Sequence, residues 1–291
     1  MSKLSNIGTI KQLLQKHGFT FSKAMGQNFL INPSVCPRMA EECGAAEGVG
    51  VIEIGAGIGV LTVELAQRAD KVVVIELDKR LMPLLDETLA DYDNIKIINE
   101  DVLKVDLAKL IEDEFAGMEV VVCANLPYYI TSPIIMGILE ARLPIKGLTV
   151  MVQKEAAQRI CAPAASREAG AVTLAVRYYS EPEILFHVSR GSFMPAPDVD
   201  SCVIRLNILP QPAVDVKDEK MFFRVVRGAF AQRRKTLSNT LSSTMGVGKS
   251  EVAAVLESAG LSATARAEEL TLQQFGTLAD CFVKYFEDNA K

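Results

Sequence analysis

The sequence contains little of what a metal site would need. Only two histidines accompany six cysteines, and no two cysteines form a C-x-x-C pair. A zinc site would have to be assembled from scattered ligands, because structural zinc sites use closely spaced cysteine and histidine pairs. We therefore expect no metal. We interpret the cysteines as reduced and mostly buried thiols: Cys36, Cys43, Cys123, Cys161, Cys202 and Cys281.

Signals for export or membrane insertion are also missing. The first residues, MSKLSNIGTIKQLLQ, lack the apolar core of a secretory signal and the arginines of a transit peptide. No apolar run approaches the roughly 20 residues of a membrane-spanning helix. The chain shows no internal repeat and no low-complexity segment. We expect a cytoplasmic protein without a membrane partner.

Short β-branched runs alternate with helical patterns between about residues 50 and 153. The runs are VGVIEIG, KVVVIELD, NIKIIN, EVVVCAN and GLTVMVQK, and two further runs, EILFHVS and SCVIRLNIL, follow later. The first five are apolar on both faces, which is typical of parallel strands covered by helices on both sides. The pattern predicts a doubly wound α/β fold with a mostly parallel, seven-stranded sheet.

The composition changes near residue 210. The segment LPQPAVDVKDEK is rich in proline and charge, and the residues after it are helix formers without a strand-like run. A chain of 291 residues exceeds the usual size of one domain. We predict a catalytic α/β domain over residues 1–210 and a small all-α domain over residues 211–291.

The turn after the first strand is rich in glycine. VIEIGAGIGVLT places Glu53, Gly55, Gly57 and Gly59 at the junction with the next helix. Glycines allow a tight turn and close approach of a ligand to the backbone. The E-x-G-x-G-x-G form differs from the dinucleotide motif and resembles the S-adenosylmethionine loop of class I methyltransferases. A tight turn without a ligand is the alternative, and a dehydrogenase is a more remote one.

Acidic residues follow the next two strands. Glu76 ends VVVIELD, and Asp101 follows NIKIIN. Ligands of open α/β sheets bind at the carboxyl edge of the strands, so both carboxylates are predicted to border the same crevice as the glycine turn. There Glu76 is placed to accept hydrogen bonds from ribose hydroxyls. Either residue alone is equally consistent with a structural cap.

The fourth strand ends in Asn125, Leu126, Pro127 and Tyr128. An exocyclic adenine amine is a poor nucleophile because its lone pair is delocalised into the ring. The Asn125 side-chain oxygen and the Leu126 carbonyl are predicted to accept its two N–H bonds, so that positioning supplies most of the catalysis. Pro127 fixes the turn, and Tyr128 offers a stacking face for an extruded base. The alternative is a strand exit with tyrosines in the core.

A second aromatic residue, Phe193, lies in the proline-stiffened segment GSFMPAPDVDSCVI. It is a candidate for the other side of an extruded base, and simple packing is the alternative. The residues by themselves therefore indicate an amino-methyltransferase for adenine in a nucleic acid, and they leave RNA and DNA open.

A basic segment contrasts with the net charge of −5. Residues 221–250 contain no acidic side chain, and helical spacing places two of the arginines on one face. We predict contact with RNA phosphates, with a solvated surface as the alternative. The predicted contact residues are Arg224, Arg227, Arg233, Arg234 and Lys235.

Seven segments together resemble the ribosomal RNA adenine dimethyltransferase family, specifically the bacterial enzymes that act on small-subunit RNA. These are GQNFLIN, EIGAGIGVLT, VIELD, EDVL, NLPYYI, QKE and FMPAPDVDS, in family order and spacing. The resemblance implies a class I, Rossmann-like fold and N6,N6-dimethylation of two adjacent adenosines near the 3′ end of that RNA. It also implies S-adenosylmethionine as donor and a pre-assembled small-subunit particle as partner of a monomeric enzyme.

The resemblance also implies individual roles. Tyr128 and Phe193 would sandwich the target adenine, and Asn125 would bridge donor and target. Paralogues that modify large-subunit RNA share most of these motifs, and a ribosome-assembly factor whose binding matters more than its chemistry is a further alternative. The implied donor-binding residues are Asn28, Leu30, Gly55, Gly57, Glu76, Asp101, Val102 and Asn125.

Overall fold

The computed structural model describes residues 4, 6–20 and 28–289. Gly26 and Gln27 of the GQNFLIN segment lie outside the described residues. Within them the helices are α1 (Ile7–Lys16), α2 (Val35–Glu42), α3 (Val60–Ala66), α4 (Met82–Thr88), α5 (Leu107–Glu114), α6 (Thr131–Glu140), α7 (Lys154–Cys161), α8 (Ala171–Tyr179), α9 (Glu219–Phe230), α10 (Leu237–Met245), α11 (Lys249–Ser258) and α12 (Leu272–Asp288).

The strands of the same residues are β1 (Phe29–Leu30), β2 (Val49–Ile54), β3 (Lys71–Ile75), β4 (Ile95–Ile98), β5 (Glu119–Asn125), β6 (Gly147–Gln153), β7 (Ser180–Val188), β8 (Phe193–Met194) and β9 (Ser201–Ile208). Seven of them form one sheet with the order β4-β3-β2-β5-β6-β9-β7. The neighbours from β4 to β6 pair in parallel, and β9 runs antiparallel to β6. The predicted mostly parallel, seven-stranded sheet is confirmed.

The central strands are apolar because both of their faces are covered. All six residues of β2 are buried, and Val51 and Ile52 are completely inaccessible. Burial of one such side chain stabilises the fold by about 1.5–3 kcal/mol. Gly50 has no side chain because the Phe115 ring occupies the space, where a Cβ would lie 2.1 Å from the ring.

The strand order reverses its direction between β2 and β5. These two strands are adjacent, whereas the chain continues from β2 towards β3 and from β5 towards β6. Such a switch point leaves a crevice at the carboxyl ends of the strands, where ligands of doubly wound sheets bind. Ile54 is paired with Ala124, so Gly55 and Asn125 follow directly after a matched pair. A small separate sheet pairs β1 with β8.

The chain forms two compact units, Met1–Ala157 with Pro182–Ile208, and Gln158–Glu181 with Leu209–Lys291. The first contains the glycine turn and the end of β5. The second contains α8 and α9 to α12, which confirms the predicted helical C-terminal region. The functional division at residue 210 stays a prediction.

Aromatic packing joins the parts of the second unit. The Tyr178 ring stacks on Phe222 with 4.8 Å between the centroids, and the Tyr179 hydroxyl donates to the Glu219 carboxylate at 2.7 Å. All six cysteines carry free thiols and four of them are buried, as predicted. Among the described residues, no helix combines the length and apolar character needed to cross a membrane.

Candidate active site

The glycine turn has a backbone that other residues rarely adopt. Gly55, Gly57 and Gly59 have φ values of 77°, 59° and 87°, all in the left-handed region. A Cβ on Gly57 would also lie 3.3 Å from the Phe29 ring. The turn therefore depends on glycine for its conformation, and it exposes its backbone to the crevice before α3 begins.

The glycine turn and the β5 exit lie next to each other. A Cβ built on Gly55 would be 4.0 Å from the Asn125 main-chain oxygen. Both residues line the same cavity. This cavity is lined by every donor and target residue predicted from the sequence: Asn28, Leu30, Gly55, Gly57, Glu76, Asp101, Val102, Asn125, Leu126, Tyr128 and Phe193. Their individual roles stay predictions.

Glu76 is fixed by the backbone around it. Its carboxylate accepts hydrogen bonds from the Gly57 N–H at 3.2 Å and the Asp78 N–H at 2.9 Å. Burial raises the pKa of Glu76, and these backbone bonds oppose the shift. Asp101 is held in a similar way, since its Oδ1 accepts from the Leu103 N–H at 3.0 Å. Both carboxyl groups thus reach the cavity wall in defined orientations.

Glu53 is a feature that the sequence analysis did not assign. Its side chain is inaccessible, and neither carboxyl oxygen has a hydrogen-bond partner among the described residues. Burial raises the pKa of Glu53 to about 8; the neighbouring Thr62 hydroxyl opposes this shift without meeting hydrogen-bond geometry. An unpartnered buried carboxyl group is costly. Glu53 lies in the wall of the cavity, so a cationic group of a bound ligand would reduce that cost electrostatically, without a direct hydrogen bond to the inaccessible oxygens.

The turn that follows β5 (residues 125–128) is stabilised by hydrogen bonds to one carbonyl group. The Pro127 oxygen accepts from the Ile130 N–H and from the Thr131 hydroxyl, both at 3.2 Å. Pro127 itself has φ −59° and ψ 129°, and Leu126 is buried. The turn therefore presents Asn125 and Tyr128 from a rigid backbone.

Two aromatic residues from different elements line the cavity near this turn. Tyr128 is half-buried, and its hydroxyl shares a hydrogen bond with the Ser201 hydroxyl. Burial raises the pKa of Tyr128, so the phenol is neutral at physiological pH. Phe193 is buried on β8, where it pairs with Leu30 of β1. Ser201 was not predicted as a site residue, although it is the last residue of the family segment FMPAPDVDS.

The basic segment belongs to the second unit. Arg224 and Arg227 are exposed on α9, and the other three cations follow α9 in an exposed turn. None of the five forms an ion pair with a carboxylate of the described residues. The Arg233 guanidinium donates to the Arg167 carbonyl at 2.6 Å, which brings a further exposed arginine beside this turn. Arg167 could not be assigned from the sequence, because 66 residues separate the two.

The sheet order and the Asn-Leu-Pro-Tyr exit beside an acidic glycine turn define a class I methyltransferase. The family model described as ribosomal RNA adenine dimethylase matches residues 18–284. The chain belongs to the ribosomal RNA adenine dimethylase family, as the sequence motifs indicated.

Curated relatives match along almost the full length. The chain is 47% identical to ribosomal RNA small subunit methyltransferase A of Alkaliphilus oremlandii, over 98% of this chain and 99% of that protein. It is 46% identical to the protein of the same name from Bacillus licheniformis, over 93% of this chain and 94% of that protein.

Two solved structures have the same fold. The 23S rRNA methyltransferase ErmE is 28% identical with a TM-score of 0.67, over 87% of this chain and 99% of that one. A dimethyladenosine transferase from Plasmodium falciparum is 24% identical with a TM-score of 0.70, over 90% of this chain and 98% of that one. The second likeness supports the fold alone.

Proposed function

We propose that this chain transfers methyl groups from S-adenosylmethionine to the N6 amines of two adjacent adenosines near the 3′ end of small-subunit (16S) ribosomal RNA. The products are N6,N6-dimethyladenosines. The observation that carries the proposal is the juxtaposition of Gly55 and Asn125 at the switch point of the sheet. A donor site and an amine site there share one cavity.

The cavity fits a donor that combines a nucleoside with an amino acid. When bound, S-adenosylmethionine supplies a methyl group made electrophilic by a positively charged sulfur. Glu76 would accept hydrogen bonds from the ribose, and Asp101 with Val102 would hold the adenine. The α-ammonium group would interact electrostatically with Glu53, whose inaccessible carboxyl group has no hydrogen-bond partner among the described residues. Asn28, Leu30, Gly55 and Gly57 would enclose the remainder.

The target amine would be held by two acceptors. The Asn125 side-chain oxygen and the Leu126 carbonyl would accept its N–H bonds and direct its lone pair towards the donor. Tyr128 and Phe193 would contact the two faces of the base. Burial raises the pKa of Tyr128, so the protonated phenol would position the base and would not remove a proton. The proton lost from the methylated amine passes to solvent, because a cationic amine is acidic.

The exposed cations of the second unit would bind RNA phosphates. Phosphate contacts orient a protein on RNA without reading its sequence, and they make binding sensitive to salt. The proposed contacts are Arg224, Arg227, Arg233, Arg234 and Lys235, which form no ion pair within the described residues. We further propose that the enzyme acts as a monomer in the cytoplasm, on a pre-assembled small-subunit particle.

Sequence identity to the relatives favours small-subunit RNA over large-subunit RNA as the substrate. The relatives named for the small subunit are 46–47% identical over nearly the whole chain, whereas the structure named for 23S RNA is 28% identical. The same enzyme would contribute to small-subunit biogenesis.

The proposal is tested with labelled donor and immature small subunits that lack the modification. The expected result is label in N6,N6-dimethyladenosine after nuclease digestion and mass spectrometry. Large subunits and adenine-containing DNA serve as parallel substrates. Label in large-subunit RNA or in deoxyadenosine alone would overturn the assignment of the substrate. Glu76→Ala tests the assembly alternative, which predicts lost methylation with normal subunit maturation.

A further inference from the structure

Tyr129 is the most exposed large hydrophobic side chain of the described residues, with 57% of its surface accessible. It lines the same cavity as its neighbour Tyr128. No hydrogen bond, ion pair or ring contact to Tyr129 occurs among the residues described here. A single exposed tyrosine on a protein surface is ordinary. Tyr129 differs from such a residue because it lines the cavity that we propose to bind the target base.

The backbone fixes the place of this ring. Tyr128–Ile130 forms a short 3₁₀ helix, and the Pro127 carbonyl holds it through the Ile130 N–H and the Thr131 hydroxyl. Adjacent Cα atoms lie about 3.8 Å apart, so the two tyrosine rings occupy neighbouring positions on one rigid turn. Tyr128 is anchored to Ser201, whereas the Tyr129 ring has no such anchor. The Tyr128 ring therefore forms part of the cavity wall, and the exposed Tyr129 ring lies where the cavity opens to solvent.

The geometry points to a second base-binding subsite at Tyr129, which stacks on the nucleobase next to the extruded adenosine. The inference rests on the proposed function. An extruded base leaves its neighbour without a stacking partner, and an aromatic ring at the cavity mouth replaces that partner. The ligand is thus a purine in single-stranded RNA. Because the two target adenosines are adjacent, each would occupy the mouth while the other occupies the cavity.

The test compares Tyr129→Ala, Tyr129→Leu and Tyr129→Phe with the wild type on undermethylated small subunits. Alanine should lower kcat/KM by about five- to fiftyfold, mainly through KM, because it removes one stacked base. Phenylalanine should restore the value to within about twofold, and leucine should not, since stacking needs a π face. Ile184→Ala is the matched control, because Ile184 is an exposed apolar residue of β7 that does not line the cavity.

Donor binding by calorimetry shows whether each variant is folded with an intact donor site, and it should not change. Full activity of Tyr129→Ala, or full rescue by leucine, would overturn the subsite while leaving the proposed function standing. An inactive wild type would overturn both. Mass spectrometry of the digested RNA adds a second readout: the alanine variant should form dimethyladenosine more slowly at both adenosines.

Discussion

The Tyr128 hydroxyl lies 2.8 Å from the Ser201 hydroxyl, which joins the β5 exit to the first residue of β9. Ser201 is completely buried, so it cannot follow a moving ring. This bond fixes the position of the phenol oxygen and so the direction in which the Tyr128 side chain points. We therefore expect Ser201 to act as a positioning residue through Tyr128.

Loss of this bond should affect turnover more than donor binding. Ser201→Ala is expected to lower kcat by about three- to tenfold, the value of one hydrogen bond of about 1 kcal/mol. It should also raise the pKa of Tyr128 further, since the bond lowers that pKa. Ser201→Thr, which keeps the hydroxyl group, should retain the wild-type kcat and the wild-type pKa of Tyr128. In a Tyr128→Phe background, Ser201→Ala should cause no further loss; an additive loss would show that Ser201 acts elsewhere.

Asn125→Ala should separate donor binding from chemistry. Removal of an acceptor for the target amine is expected to lower turnover by about 100- to 1000-fold, as loss of a preorganised polar group does in other active sites. Donor affinity should change by less than tenfold. Calorimetry and single-turnover methylation measure the two effects. Asn207→Ala, which removes an amide of β9 outside the cavity, should leave both unchanged.

Donor affinity should depend on the ionisation of Glu53. The pKa of Glu53 is about 8 in the donor-free protein, so the group is mostly protonated below that pH. Pairing with a donor ammonium group requires the carboxylate, so affinity should rise as the pH rises towards 8, with release of a proton. Calorimetry in buffers of different ionisation enthalpy counts that proton. Glu53→Gln should abolish the pH dependence, and an unchanged dependence would refute the pairing.

The same group should make stability fall with rising pH. The folded-state pKa of Glu53 lies above the ordinary 4.5, so the unfolded chain releases this proton first. The free energy of unfolding of the donor-free protein should therefore decrease between about pH 5 and 8, by a few kcal/mol at most. Urea unfolding at several pH values measures the slope. Glu53→Gln should reduce the slope, and the part that remains is expected from Glu76, whose pKa is also raised by burial; a slope unchanged by Glu53→Gln would refute the assignment to Glu53.

RNA binding should weaken with salt through the basic turn of the second unit. Removal of one cation that binds a phosphate should reduce the slope of log affinity against log salt by about 0.7–0.9. We expect this effect for three variants of the turn: Arg233→Ala, Arg234→Ala and Lys235→Ala. We also expect it for Arg167→Ala, because the hydrogen bond from Arg233 to the Arg167 carbonyl places this exposed arginine beside the turn. Filter binding of small subunits between 50 and 200 mM salt, on the order of physiological values, provides the measurement.

Lys284→Ala is the matched control for these charge variants. Lys284 is an exposed cation of α12 in the same unit, and it lies outside the basic segment. Its removal changes the net charge equally. A slope that falls as much for Lys284→Ala as for Arg234→Ala would show a general charge effect without a defined contact surface.

The sheet was predictable because its signal is local. Strands such as Val49–Ile54 and Lys71–Ile75 are nearly all apolar, and burial on both faces requires that pattern. The positions of Gly55, Glu76, Asp101 and Asn125 followed from the rule that parallel strands end at one edge. These residues do line one cavity.

Other features depend on contacts between distant segments. Ser201 meets Tyr128 across 73 residues, and Arg167 meets Arg233 across 66 residues. The sequence pattern around either residue does not predict which distant residue it contacts. The unpartnered state of Glu53 was equally hidden, because the sequence shows an acidic residue without showing what surrounds it.

The antiparallel direction of β9 means that the edge of the sheet beside the cavity is formed by both ends and beginnings of strands. In β6 and β9, Gln153 is paired with Ser201, so the last residue of one strand meets the first residue of the other. The predicted donor residues Gly55, Glu76 and Asp101 follow the carboxyl ends of strands. Phe193 and Ser201 instead lie on the segment that leads into β9. If the proposed roles hold, changes near Ser201 in that segment should alter which base is accepted more than they alter donor binding.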